Sequence, residues 1–393
     1  MSRLKYVMSW ASDFVCPGGD CGLTCCSSEW KINLIDSEIE EYKKLPGELG
    51  EMVREAVDFE NKCLKCNGDK CALLDERGYC KMVYMGSEDL LSYTCSVFPR
   101  IEKKYGSFSE ILVEILCPVV AKTLIEGTPI EWFEFTDDEG AESDPDDEYE
   151  NTELLRYVRE NVAEVINYKP GQYSAGKCYI VQNIFIKLRE LVDTGRLNID
   201  EVNNLLSEYA GIERIESIFN QCEQIDKMYS LKATEISRYL QLNDGEYVDL
   251  ILKETYKEFT EIEGILHKWR DNPSLLTEVI DSYYGYIKKT YPLFAERYLS
   301  YLIVVGWINE KGVKFGERFL LRNVEKMLID LCAMALFSQA GEVDERDMSV
   351  IVASIDRVMG RADSDAIEKL HKVLFSDIAP NDLVMKQMLL YVV

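Results

Sequence analysis

Three observations predict a mainly α protein in which a small cysteine-rich, metal-binding N-terminal domain precedes an irregular helical bundle. Ten of the thirteen cysteines lie at or before Cys117, an acidic run fills Thr136 to Glu150, and apolar residues beyond it recur at helical spacing. With 393 residues, 47% of them hydrophobic, the chain can bury a sizeable core as two domains or as one domain with a satellite.

The N-terminal domain is expected over residues 1–135. Within it, Trp30-Lys31-Ile32-Asn33-Leu34 alternates like a short strand and Asp36 to Val57 reads as helix. Around the cysteines, turn residues and short elements are what a chain shows when metal bonds replace a hydrophobic core. The stretch from Thr136 to Glu150 carries nine acidic residues and no aliphatic larger than alanine. Such a run repels itself and buries no face, so 136–150 is expected to be a solvated linker.

Residues 151–393 form the expected helical domain. Leu154, Leu155, Val158, Val162 and Val165 follow a cap at Asn151 or Thr152, and Ile184, Leu188 and Leu191 end at Gly195. Further helical patterns cover Glu201–Tyr209, Ile212–Tyr229, Glu246–Phe259, Pro273–Tyr291, Phe294–Ile308, Glu317–Phe337, Arg346–Met359 and Ser364–Leu374. Turn signals such as Asn243-Asp244-Gly245 separate several of them, and no equal repeat period argues for a solenoid.

Met1 to Val15 has no apolar core of useful length, and the longest apolar run, Tyr298 to Ile308, is too short to span a bilayer. A soluble, cytoplasmic protein without a membrane partner is the expectation. In a reducing compartment clustered cysteines read as metal ligands before disulfides. The net charge of −26 argues against nucleic acid as a main partner, because phosphate binding needs a basic face.

The cysteines carry the functional signal. Cys16, Cys21, Cys25 and Cys26 make a C-x4-C-x3-C-C knot whose Gly18, Gly19 and Gly22 let the backbone turn tightly. Cys71 to Cys80 reads as a small hairpin or turn with Gly78 near its bend and a thiol at each end. Cys95 and Cys117 add single thiols at element ends, whereas Cys178, Cys222 and Cys332 sit among apolar helical residues and read as core. Cys63-x-x-Cys66 is a weak zinc half-site by itself. Spacing leaves open whether the thiols hold one centre or two, and which metal.

The pattern resembles the flagellin lysine-N-methylase family and, more broadly, proteins with a zinc- or iron-chelating cysteine-cluster domain. The matching residues are Phe14-x-Cys16, Cys21-x-x-x-Cys25-Cys26-x-x-x-Trp30 and Cys71-x-Leu-Leu-Asp-x-x-Gly-x-Cys80. They continue with Leu91-Ser-x-Thr-Cys95-x-x-Phe98-Pro99-Arg100 and Cys117-Pro118-x-x-Ala121. The likeness covers residues 14 to 121, and the helical remainder is similar only in size and class. It implies an enzyme that methylates lysine side chains of flagellin from S-adenosylmethionine, with a [4Fe–4S] cluster. Its metal ligands would be Cys16, Cys21, Cys25, Cys26, Cys71, Cys80, Cys95 and Cys117. Where the family tends to show Arg-x-x-Glu-His, this chain has Arg357-Val-Met-Gly-Arg361, so no role transfers there.

Four thiolates per cluster is the usual demand, and the N-terminal part meets it in surplus. Arg100 is a candidate for the adenosylmethionine carboxylate or a bound thiolate, beside the plainer reading of a structural salt bridge. No G-x-G-x-x-G follows a strand, and Ser28 stands where a C-x-x-x-C-x-x-C triplet needs its third cysteine. Trp30 reads as core, and His267 receives no role. Methyl transfer needs a deprotonated lysine, and with both histidines far along the chain a carboxylate or tyrosine is the expected base. The alternatives are a non-enzymatic zinc- or iron-binding protein with a structural thiolate site and a partner-binding helical domain, and a carrier that holds metal transiently.

Overall fold

A computed structural model describes residues 3–21, 23–27, 30–68, 70–105, 107–137, 151–223, 228–241, 246–307 and 317–360, with residues 369 and 372. The protein is mainly helical with a small sheet region. The sheet has four strands in the order β6-β7-β1-β8: β1 (Arg3–Met8), β6 (Arg100–Lys104), β7 (Phe108–Val113) and β8 (Trp132–Asp137). β1 runs parallel to β7, with Leu4 opposite Phe108, and antiparallel to β8, with Met8 opposite Trp132. Thr136 and Asp137 pair with Leu4 and Arg3, so the expected linker begins inside a strand. Its remainder, 138–150, lies outside the described residues.

The sheet was not foreseen, because its central parallel pair joins segments about a hundred residues apart and local periodicity carries no trace of that. Between the strands, α1 (Ser9–Asp13) continues from β1, and α6 (Pro118–Ile125) opens with Cys117 at its N-cap and Pro118 at its first turn. Proline suits that position, where its missing N–H leaves no bond unmade.

A satellite lobe holds α2 (Asp36–Lys44), α3 (Gly47–Ala56), the two-residue strands β2 (Val57–Asp58), β3 (Cys63–Leu64), β4 (Cys66–Asn67) and β5 (Lys70–Cys71), α4 (Lys81–Met85) and α5 (Tyr93–Val97). The helix expected over Asp36–Val57 is thus two helices. Pro46 forces the break, since it restricts Leu45 to extended backbone and cannot donate within a helix. The Trp30–Leu34 strand reduces to one bridge between Asn33 and Cys63. The lobe also has an apolar cluster of its own, with Leu34, Ile39, Tyr42, Val53, Val57, Leu64, Leu73 and Met82 buried. Metal bonds therefore do not stand in for all of its core.

The helices beyond the acidic run are α7 (Thr152–Asn167), α8 (Ser174–Asp193), α9 (Ile199–Ser207), α10 (Ile212–Cys222), α11 (Tyr229–Gln241) and α12 (Glu246–Glu258). They are followed by α13 (Thr260–Asp271), α14 (Ser274–Thr290), α15 (Phe294–Gly306), α16 (Glu317–Ala340) and α17 (Glu345–Met359). Most coincide with the expected helices to within a few residues, but α11 and α13 had been missed and α10 stops at Cys222. The Ser364–Leu374 helix lies outside the described residues apart from 369 and 372. Every residue of α15 is buried, Glu296, Arg297 and Ser300 included, and Glu296 is paired there with Lys177. No described helix is long and apolar enough to cross a membrane.

One continuous core joins the sheet to these helices, running from Tyr6, Met8 and Trp10 through Leu112, Cys117 and Leu124 to Ile355 and Met359. The hydrophobic interior therefore does not divide at the acidic run; it divides between the satellite lobe and everything else. α17 packs along α6, which sets a C-terminal helix against the N-cap residue Cys117.

Glu110 of β7 anchors the sheet to α7 through the guanidinium of Arg159, whose second hydrogen bond to the carboxylate measures 3.2 Å. Both side chains are almost fully buried. Removing one member leaves an uncompensated interior charge, at a cost of about 3–5 kcal/mol. Glu110→Ala should lower the unfolding free energy by about that amount in urea titration. A change under about 1 kcal/mol would show that water or another partner takes over the arginine.

Candidate metal centre

All eight cysteines that the family likeness singles out line one cavity of about 150 Å³. A single buried water needs only roughly 10–15 Å³ of such space, so the cavity can take a larger group. The remaining wall is largely apolar, and Arg357 is its only charged side chain among the described residues.

Local structure explains how each thiol arrives. Gly18 has φ +62°, and the ring of Tyr79 covers Gly19 so closely that a Cβ there would lie 2.6 Å from it. The same tyrosine donates to Asp20 at 2.8 Å, which pins the knot against the 71–80 turn. That turn closes on Asp75, whose carboxylate accepts the backbone N–H groups of Arg77 and Tyr79 at 2.9 Å, with Gly78 at φ +85°. Cys71 and Cys80 therefore leave the two ends of one bend, as expected. Ser92 caps α5 by accepting the N–H of Cys95, and Cys117 caps α6.

The sulfurs come from several segments of the cavity wall. Those of Cys25 and Cys26 lie 3.9 Å apart. Four sulfurs on a single tetrahedral ion lie about 4 Å apart, given metal–sulfur bonds near 2.3 Å. Among the described residues, no three Cys, His, Asp or Glu side chains form a group placed to hold one metal ion. The donor chemistry, eight soft thiols around a largely apolar space, is of the kind that iron–sulfur centres use.

Burial shapes the chemistry of the free thiols. Loss of hydration raises the pKa of Cys21, pushes Cys71 up to about 11, and pushes Cys95 and Cys117 up to about 12. Cys26 is held protonated first by its contact with Cys25 and then by burial. A bound cation reverses this logic, because it replaces the protons and stabilises the thiolates directly.

Arg357 is the residue that sequence reasoning passed over. Its side chain leaves α17, donates to the carbonyls of Leu23 at 2.9 Å and Leu116 at 3.3 Å, and lies 5.0 Å from the centre of the Trp30 ring. Burial depresses its pKa, and the thiols of Cys25, Cys21 and Cys117 oppose that shift. The sequence placed it where the family tends to show Arg-x-x-Glu-His but gave it no role; the packing of α17 on α6 brings it to the cavity. Trp30, read as core, stands here instead, edge-on to Phe98 at 5.7 Å.

Arg100 does not line the cavity. Its guanidinium donates to the carbonyls of Ala11 at 2.8 Å and Phe14 at 2.9 Å and sits over the Phe14 ring. It braces the segment that leads into Cys16, through backbone carbonyls in place of the salt bridge that was the plainer expectation. A second cavity of about 110 Å³ adjoins the first, sharing Cys25, Cys26, Cys71 and Cys95 with it and adding Trp30, Lys31 and Cys66. Cys63 is buried in β3 away from both. Cys178, Cys222 and Cys332 are buried in the helical core, as expected. His267 faces Asp249 on the helical side, and His371 lies outside the described residues.

No protein-family model, curated protein sequence or solved structure matches the chain.

The raised thiol pKa values predict how metal-free protein behaves with pH. A thiol whose folded pKa exceeds its ordinary value of 9.0 stabilises the fold below pH 9 and loses that contribution as pH rises towards 11 to 12. Metal-free protein should therefore unfold more readily across that window. Mass mapping with iodoacetamide at pH 8 should label exposed Cys16 first and Cys95 and Cys117 last. Equal labelling of all eight would mean that the cavity is open to water.

Proposed function

We propose that the thiol-lined cavity is an iron–sulfur centre and that the protein is a protein-lysine N-methylase of the flagellin-modifying type, acting with S-adenosylmethionine in the cytoplasm. The observation that carries the metal reading is the meeting of eight cysteines, scattered from Cys16 to Cys117, around one cavity beside the buried guanidinium of Arg357. The methyl-transfer reading comes from the sequence resemblance. On this reading residues 1–135 form the metal-binding part, 136–150 a linker and 151–393 the helical part, with flagellin as the protein partner.

A [4Fe–4S] cluster supplies electron-poor iron held by thiolates. The chain's own residues do the rest. The eight cysteines give the ligands, the apolar wall excludes water, and Arg357 offsets the negative charge that thiolate ligation brings. Neither cavity is lined by a carboxylate, tyrosine or histidine among the described residues, so the expected general base does not stand in either wall. A lysine entering this space loses hydration and meets Lys31 or Arg357, and both influences lower an amine's pKa. Deprotonation by environment suits the site better than deprotonation by a dedicated base.

Anaerobically purified protein reconstituted with iron and sulfide should show broad sulfur-to-iron charge-transfer absorption in the visible. Given S-adenosylmethionine and flagellin, it should add methyl masses to lysine. A colourless protein with stoichiometric zinc and no iron would favour the non-enzymatic metal-binding alternative. Unchanged lysine masses with iron-loaded protein would remove the methylase reading and leave the metal centre standing.

A further inference from the structure

We propose that Cys66 and Cys71 form a redox-active dithiol, which a peroxide closes to a cross-strand disulfide and a small dithiol reopens. Closure takes the Cys71 sulfur out of the set of thiols that the first cavity offers. The dithiol itself stands on strand register and shared lining. Its effect on the cavity rests on the reading of that cavity as a thiolate metal site.

Register carries the inference. β4 and β5 pair antiparallel, with Cys66 directly opposite Cys71 and Asn67 opposite Lys70. The N–H of Ala72 donates to the carbonyl of Lys65 at 3.0 Å, so the ladder continues one residue beyond the two cysteines. Gly68, at φ +67°, lets the chain reverse between them. Residues directly opposite in an antiparallel pair stand about 4.5–5.5 Å apart at Cα and carry their side chains on the same face. A disulfide spans about 4.4–6.8 Å between Cα atoms, so this register already holds the two cysteines at bonding range. Shared lining agrees, because both cysteines line the second cavity. Among the described residues no other two cysteines stand opposite each other in a ladder. Cys63 pairs with Asp58 and Asn33, and Cys80 pairs with Leu74.

Exposure orders the chemistry. Cys66 is exposed, whereas Cys71 is half-buried against the satellite cluster. Cys66 also stands outside the eight thiols of the first cavity, while Cys71 lines both cavities. Peroxide therefore meets Cys66 before Cys71. The Cys66 sulfur attacks the O–O bond, becomes a sulfenic acid and releases one water. The Cys71 sulfur then displaces the sulfenic oxygen to form the S–S bond, and that oxygen leaves as a second water with the Cys71 proton. Two electrons pass from the two sulfurs to one peroxide. A dithiol reductant restores both thiols by exchange.

The test uses the full chain, freed of metal with a chelator, treated with hydrogen peroxide, alkylated and cut with trypsin without reductant. Cleavage after Lys65, Lys70 and Arg77 separates Cys66–Lys70 from Cys71–Arg77, so only a disulfide keeps these two peptides together. Wild type should yield the linked peptide, and dithiothreitol should release it. On anaerobic reconstitution with ferrous iron and sulfide, without thiol reductant, oxidised wild type should take up several-fold less iron than reduced wild type. Cys66→Ser, which has no link to form, should keep most of its uptake after the same treatment. Absence of the linked peptide, or recovery of Cys71 joined to a different cysteine, would overturn the dithiol, and neither readout needs a variant to fold. Equal iron uptake by oxidised and reduced wild type would overturn the effect on the cavity. The linked peptide in a protein that takes up no iron in either state would uphold the dithiol and remove the metal-site reading itself.

Discussion

A buried guanidinium has to be neutralised or fully hydrogen-bonded, and Arg357 meets that demand with atoms of the cysteine wall. Two of its bonds end on the carbonyls of Leu23 and Leu116, and its face lies over Trp30. Those three residues belong to the knot, to the lead-in of α6 and to the segment entering the satellite lobe. One side chain from α17 thus gathers three stretches of the N-terminal sequence around the cavity. Its charge matters as much as its bonds. A ring of thiolates in an apolar space is costly unless positive charge lies close, and among the described residues Arg357 supplies the only such charge in the first cavity's wall.

This dependence explains why the hydrophobic core ignores the acidic run. If the helical part were only a scaffold, the cysteine-rich part could close its core independently. The sheet and α6 are instead built into the helical core, and Glu110 and Arg159 tie strand to helix by a buried ion pair. The satellite lobe keeps its own small cluster. The cavity sits where these two packing units meet, so its walls come from both and its width follows from how they are set against each other.

Legibility in the sequence tracked the range of the interaction. The helices beyond Asn151 were readable because amphipathic spacing is local, and the eight cavity cysteines were marked by their spacing and its family likeness. The parallel pairing of β1 with β7 left no local trace. Arg100 and Arg357 show the same limit in side chains. Arg100 follows Phe98-Pro99 inside the conspicuous motif, yet its guanidinium turns to the Ala11 and Phe14 carbonyls. Arg357 lies in an ordinary amphipathic helix and enters the cavity only through the contact of α17 with α6.

The raised thiol pKa values and the spread of the sulfurs point the same way about the occupant. Neutral buried thiols need no partner, and such a cavity would be stable as a hydrophobic pocket below pH 9. Evolution of a mere pocket has no use for eight of them, since leucine or valine fills space with no ionisable group and no oxidation chemistry. Four sulfurs drawn to within about 4 Å would suit one tetrahedral ion. These sulfurs line a shared space of about 150 Å³, and those of Cys25 and Cys26 lie 3.9 Å apart. On the proposed reading, an iron–sulfur occupant would bring its own bridging atoms into this space and draw its ligands from thiols on several segments.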